Sequence, residues 1–232
     1  MKVPTLADAR KLSLLPSVTT ILKVLHRQGL VDWLIEQAVL TALTAPKLNG
    51  EGLDAFVQRI LHTERQQDQE TQIARDRGTQ IHNELERLFL GEYVSTELSS
   101  WVEPVFADIS KRGKTVAVEK CLVGQGYAGK TDLIQETDSE VWVWDWKTTK
   151  RLPEKGSWPE HRLQIGAYAK SLFFSVALKG KPIRGGNVYI STIEPGQFAV
   201  YEHSITDVIA AYEKGFAPLV KYWQWATGYT PI

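Results

Sequence analysis

The chain has 232 residues, 43% hydrophobic and 23% charged, enough for one sizeable core domain under an ordinary polar surface. Its 27 Lys and Arg balance 27 Asp and Glu, so any contact with a polyanion must rest on locally gathered cations and not on overall charge. The single cysteine, Cys121, excludes an internal disulfide, a cysteine-rich zinc site and a cysteine-ligated iron–sulfur cluster.

No apolar run reaches the length of a bilayer-spanning helix, and the opening MKVPTLADARKLSLLPS places Pro and charges where a signal peptide needs an unbroken apolar stretch. We therefore expect a cytoplasmic protein with no membrane contact. Ser17 can cap a helix through VTTILKVLHRQ that Gly29 ends, and LVDWLIEQAVLTAL forms a second apolar-periodic run before Pro46. A third helix is expected over about Leu53–Arg65. From Gln66 to Phe89 the pattern is again helical, with Ile81, Leu85, Leu88 and Phe89 on one stripe and Gly91 placed to stop it. The period then changes. TVAVEKCLVG, KTDLIQE and VWVWDWKT are three strand-like runs separated by GQGYAG and TDSE. A helix over about His161–Leu178, strands GNVYISTIE and QFAVYEHSI about Pro195–Gly196, and a closing helix from about Thr206 to Trp225 complete the order. That order predicts α/β or α+β architecture, a mixed central sheet flanked by helices. We divide the chain into a helical N-terminal region, residues 1–69, and a core, residues 70–232.

The strand registers bring acids together. If Asp138-Ser139 is a two-residue loop, residue 137 pairs with 140 and Asp132 faces Asp145. A hairpin turned about Gln125-Gly126 sets Glu119 opposite Asp132. Three carboxylates then form a row, with Lys147 two residues past Asp145 on the same face and Trp142, Trp144 and Trp146 on the other. Cross-strand neighbours have Cβ atoms roughly 5 Å apart, so these acids repel unless a counter-charge joins them. An oxygen-rich, sulfur-free set favours Mg²⁺ or Mn²⁺.

Gly124-Gln-Gly-Tyr-Ala-Gly129-Lys130-Thr131 also spells a phosphate-loop pattern. Such a loop must open a helix, however, and here a strand and a turn come next, so a hairpin is the better reading. Locally concentrated cations are Arg75 with Arg77, Lys111–Arg112 with Lys114, and Lys147 with Lys150–Arg151.

Gly78-Thr79-Gln80-Ile81-His82 lies in the long helix with His82 off the apolar stripe, and Gln164 and Tyr168 share a helical face four residues apart. Taken in order, G-T-x-x-H, G-K-T-D, D-W-K-T and Q-x-x-x-Y resemble the RecB-like branch of the PD-(D/E)XK nucleases, in particular phage-encoded exonucleases and the mitochondrial genome maintenance exonuclease. PSVTTILKVL near the start resembles the opening of the phage enzymes.

The resemblance implies a restriction-endonuclease-like core and a metal-dependent DNA exonuclease. It implies Asp132 and Asp145 as metal ligands with the Trp146 carbonyl, Lys147 orienting water and stabilising charge, and His82 beside the metal or bound to a second ion. Gln164 and Tyr168 would position the strand or the catalytic groups, and Glu119 matches less well. Arg75, Arg77, Lys130, Thr148, Lys150 and Arg151 are the candidate DNA contacts. The implied setting is phage-type recombination, replication or repair, on DNA that is single-stranded or has a free end, with a single-strand annealing recombinase as partner. Thr131 replaces the proline before the first Asp, and the missing cysteines point to a cluster-free subgroup. The helical first third would cover the cleft and favour chain ends. A sequence-specific endonuclease on the same scaffold and an inactive DNA-binding module are the rival readings.

Overall fold

The computed structural model describes residues 5–25, 35–36, 39–175 and 180–231, with side chains for all of these except 61–74, 174 and 175. Five strands form one sheet in the order β1-β2-β3-β4-β5: Lys114–Gly124, Tyr127–Glu136, Val141–Thr149, Ile183–Ser191 and Phe198–His203. Strands β1, β2 and β3 pair antiparallel, β3 and β4 parallel, and β4 and β5 antiparallel. The parallel step needs a crossover, and the helix Pro159–Ser175 supplies it. This is the mixed sheet flanked by helices that the element order predicts.

Helix α1 covers Leu6–Leu12 behind a Thr5/Asp8 capping box, and α2 covers Val18–Leu22 behind Ser17. The helix expected through VTTILKVLHRQ is thus short at its described end, and most of LVDWLIEQAVLTAL lies outside the described residues. Helix α3 runs unbroken from Leu53 to Phe89, where the sequence predicts two helices meeting at Arg65. No Gly or Pro stands at that junction, and a run of Gln, Glu and Arg carries the helix across it. Helix α4, Ser99–Ile109, is not anticipated from the sequence because Pro104 stands inside it. Pro104, its sixth residue, removes the N–H that would bond the Ser100 carbonyl, but Ser100 is exposed, and Val102, Val105 and Ile109 bury a face that holds the helix. The crossover is α5. The expected closing helix is a continuous helical run, α6 over Ile205–Ala210, a π segment over Ala211–Phe216 and α7 over Ala217–Thr227.

Two compact units are present, one comprising residues up to Val24 and from Gln80 onward, the other Leu25–Thr79. In the first, Trp142, Trp144 and Trp146 lie against Ile81, Leu85 and Phe89 of α3 and Val102, Val105 and Ile109 of α4. The strand alternation predicts this tryptophan face, and each such side chain contributes roughly 1.5–3 kcal/mol by leaving water. Trp142 and Trp144 stack at 5.1 Å, with Arg184 over the first and Arg112 over the second. Arg112 also pairs with Asp108 and Glu202, so it is structural and not a free phosphate contact. The opposite face meets α5, and α2 docks beside it through Ala128 N–H donating to the Pro16 carbonyl at 2.9 Å.

Candidate active site

The site begins where two strands separate. The β2–β3 register runs Glu136↔Val141, Gln135↔Trp142, Ile134↔Val143 and Leu133↔Trp144, which places Asp132 level with Asp145 as the Asp138-Ser139 turn requires. Pairing stops there. One step on, the Trp146 N–H donates to Asp132 Oδ2 at 2.5 Å and Thr131 Oγ1 donates to the Trp144 carbonyl at 3.0 Å. Side chains of β2 thus satisfy backbone groups of β3 that the ladder no longer reaches, and the acids sit at the mouth of the fork. Thr131 has a hydroxyl to give to this task.

Asp145 is almost fully buried. Lack of solvent raises its carboxyl most, Lys147 lowers it and Asp132 raises it again, and the balance stands at about 6. Lys147 Nζ stands 2.6 Å from Asp145 Oδ2, and His82 Nδ1 stands 3.8 Å from Asp132 Oδ1. His82 therefore reaches the site from α3, though it lies off that helix's buried stripe. Glu119 is level with Asp132 between the pairs Val118↔Leu133 and Lys120↔Thr131. Its carboxylate is ion-paired with Lys130, however, and its backbone has φ 50°. Positive φ in a non-glycine strand residue is strained and clusters at functional sites.

Could these residues hold a metal? Among the described residues no three His, Cys, Asp or Glu side chains form a closed cage. Mg²⁺ is usually held by one or two carboxylates with water and substrate phosphate completing its shell. Two neighbouring buried carboxylates, the deeper one pushed toward its neutral form first by lack of solvent and then by the other, match that donor set.

Gln164 and Tyr168 project from α5 into the same place, both buried. Gln164 Nε2 donates to Tyr168 Oη at 2.7 Å. Burial first, and then the negative Asp145, hold the phenol protonated well above the ordinary tyrosine range. Tyr168 is thus a donor, not a base. Gly129, the glycine of G-K-T-D, admits this ring: a Cβ there would lie 2.5 Å from Tyr168 Cε1. Gly124 pairs with Tyr127 around Gly126, which has φ 80°, so the phosphate-loop pattern is a hairpin.

Strand β4 adds residues that sequence reasoning missed. Asn187 is level with Asp145 and Tyr189 with Lys147. Asn187 Nδ2 donates to Asp145 Oδ2 at 3.4 Å, and its Oδ1 accepts from Ser157 Oγ at 2.6 Å and meets His203 Nε2 at 2.9 Å. With two donors on Oδ1, the amide must point its NH₂ at Asp145. The available signal was Asn and Tyr alternating in the apolar run GNVYIS, at the same period as Asp145 and Lys147.

His203, buried behind this network, is pushed down to about 4, chiefly by lack of solvent and secondly by Arg162. Its folded value lies below the ordinary 6.5, so the unfolded chain takes up the proton first. The neutral ring stabilises the fold fully above pH 6.5, and that stability drains away as pH falls toward 4, by up to about 3 kcal/mol. His203→Gln keeps an amide donor for Asn187 and removes the titration. We expect wild-type melting temperature to drop more steeply than the variant's between pH 6.5 and 4.5; parallel curves would exclude His203 as the source.

The DNA-contact candidates are dispersed. Thr148, Lys150 and Arg151 follow Lys147 at the exit of β3, with Arg151 exposed and paired to Glu154 at 2.8 Å. Lys130 is engaged by Glu119. Arg75 and Arg77 belong to the Leu25–Thr79 unit.

A family model described as the PD-(D/E)XK nuclease superfamily matches residues 92–221, more than half of the chain. The match holds Asp132, Asp145, Lys147, Gln164 and Tyr168, while His82 precedes it. Among curated proteins there is no match. A solved structure described as "Crystal structure of SSO0001" is 21% identical with a TM-score of 0.30, over 61% of this chain and 59% of that one.

Proposed function

The chain belongs to the PD-(D/E)XK nuclease superfamily, and from that premise we propose that it is a divalent-metal-dependent DNA exonuclease whose chemistry is carried by Asp132, Asp145 and Lys147. The observation that supports this most is the fork of β2 and β3, which sets two carboxylates side by side with a lysine 2.6 Å from the buried one.

Mg²⁺ or Mn²⁺ held by Asp132 and Asp145, with the Trp146 carbonyl as a further oxygen donor, would supply Lewis acidity at the scissile phosphate. The chain's own groups account for the rest. Water adds to phosphorus, the P–O3′ bond breaks, and the products are a 5′-phosphate and a 3′-hydroxyl. Lys147 is placed to orient that water and to offset the charge gathering on the phosphoryl oxygens. Tyr168, its oxygen already accepting from Gln164, keeps its O–H to give to a strand or a catalytic carboxylate. Asn187 holds the orientation of Asp145, and His82 stands by Asp132. The preference for ends, the phage-type role in recombination, replication or repair, and a single-strand annealing partner rest on the four-motif resemblance.

End-labelled linear DNA, single- and double-stranded, tests the reading beside closed circular single-stranded DNA, each with Mg²⁺ and with EDTA. The expected result is loss of linear DNA with Mg²⁺ only and survival of the circle. Equal cleavage of circle and linear strand would remove the exonuclease assignment, and tight binding without Mg²⁺-stimulated hydrolysis would remove the enzyme.

A further inference from the structure

Strand β3 leaves the site along a basic path. From Lys147 to Trp158 the sequence sets Lys147, Lys150, Arg151 and Lys155 against Glu154 alone, in a chain of zero net charge. Phosphates of a strand lying across Lys147 would find their counter-charges along this segment.

At its end stands an aromatic group built into the same strand neighbourhood. Trp158 is 40% exposed, whereas the tryptophans of β3 are buried. It is nonetheless held in place. The Trp158 backbone N–H donates to Tyr189 Oη at 3.0 Å, and the indole ring meets Tyr189 edge-on at 5.3 Å and His161 at 5.3 Å. Tyr189 Oη lies 2.7 Å from His161 Nδ1 and 3.1 Å from Ser157 Oγ, and its ring meets Tyr201 at 5.8 Å. Tyr189 is the register partner of Lys147. An indole is thus fastened through one residue to the strand position beside the proposed catalytic lysine, and part of it faces water.

An exposed, rigid aromatic beside a cationic path is the combination that takes unpaired nucleobases: the ring stacks a base and the cations track the backbone. A base inside a duplex has both faces covered by its neighbours and cannot use such a platform without first unstacking. We propose that Trp158, supported by Tyr189 and His161, is a base-stacking subsite for single-stranded DNA whose backbone lies at Asp132, Asp145 and Lys147. This names the substrate class of the proposed nuclease site and rests on that reading.

The test is fluorescence anisotropy of the full chain in EDTA, where no strand is cut, with three probes: an oligothymidylate, the same oligomer carrying abasic positions, and a duplex. Stacking on alanine removal is worth about 5- to 100-fold in affinity per base. We expect Trp158→Ala to weaken oligothymidylate binding by that factor and to leave the abasic oligomer and the duplex unchanged, while Trp158→Phe recovers most of the loss. Circular dichroism shows whether each variant is folded; the exposed position predicts that both are. Equal affinity of the wild type for normal and abasic strands would overturn the proposal, as would an equal loss for both in Trp158→Ala. The two readings fail separately. Stacking without Mg²⁺-dependent hydrolysis leaves the subsite and removes the nuclease, whereas hydrolysis without the abasic difference removes the subsite alone.

Discussion

Lys147→Ala is expected to lower Mg²⁺-dependent hydrolysis by about 10²- to 10³-fold with the fold retained, the loss typical of removing one preorganised donor from developing oxyanion charge. Two effects combine. The direct one is the missing ammonium at the phosphate. The indirect one comes from the 2.6 Å contact with Asp145: Lys147 is the largest influence holding that buried carboxyl down, so its removal moves Asp145 further toward the neutral acid. A neutral acid is a poor ligand for a hard cation. The variant should therefore need more Mg²⁺ as well as turning over more slowly, and raising the pH should recover part of the metal affinity and none of the intrinsic rate. Single-turnover hydrolysis across a Mg²⁺ titration at two pH values separates these contributions. A variant within threefold of wild type at saturating Mg²⁺ would remove Lys147 from the chemistry. The metal-free fold should change little, because Asp145 can take a proton in place of its lost partner.

The second large effect runs in opposite directions for stability and activity. Asp145 has its folded value raised to about 6 from an ordinary 3.8, mainly by lack of solvent. A carboxyl raised on folding binds more protons in the native state than in the unfolded one between those values. Its cost to the fold is therefore absent below about pH 4, grows as pH rises through that window, and is fully present above about pH 6. Asp145→Asn removes the titration and keeps the shape. Without metal at pH 7.5 we expect the variant to be more stable than wild type by about 1–3 kcal/mol, with the gain vanishing near pH 4. Hydrolysis should be abolished. Mg²⁺ reverses the order, since a ligand that binds only the native state stabilises it in proportion to RT ln(1 + [L]/Kd), and only the wild type offers a charged oxygen pair. Melting curves in EDTA and in millimolar Mg²⁺ at pH 4.5 and 7.5 give all four comparisons. An Asn variant less stable than wild type in EDTA at pH 7.5 would mean that Lys147 and Asn187 hold Asp145 ionised at no net cost.

Much of the site was legible because strands impose a strict period. Given the Thr137–Glu140 turn, the level of Asp132 with Asp145 and the placing of the tryptophans on the other face result from alternation alone. The hairpin at G-Q-G-Y-A-G-K-T was legible from local chemistry, because a strand and not a helix continues the chain there. The misses have equally physical reasons. Pro104 hid α4, since a proline inside a helix removes one backbone bond and reads as a breaker, yet the buried face of Val102, Val105 and Ile109 holds the helix in spite of it. The absence of any breaker at Arg65–Gln66 left two expected helices as one. Glu119 illustrates the limit of register: it stands at the predicted level, but a positive φ and the nearby Lys130 decide where its carboxylate goes.

The amino-acid sequence alone determined the elements of the sheet, the register of its hairpins and the acid-acid-lysine order, because turn length and side-chain alternation are short-range properties. Only the tertiary structure decided that β2 and β3 part at the acids, that Asn187 and Tyr189 flank them, and that Tyr168 enters over Gly129. The last two depend on the parallel crossover through α5, which carries Tyr168 and sets Asn187, some 40 positions away, beside Asp145. Long-range pairing of that kind leaves no periodic trace in either segment, since each strand's pattern records which of its faces is buried and not which strand lies beside it.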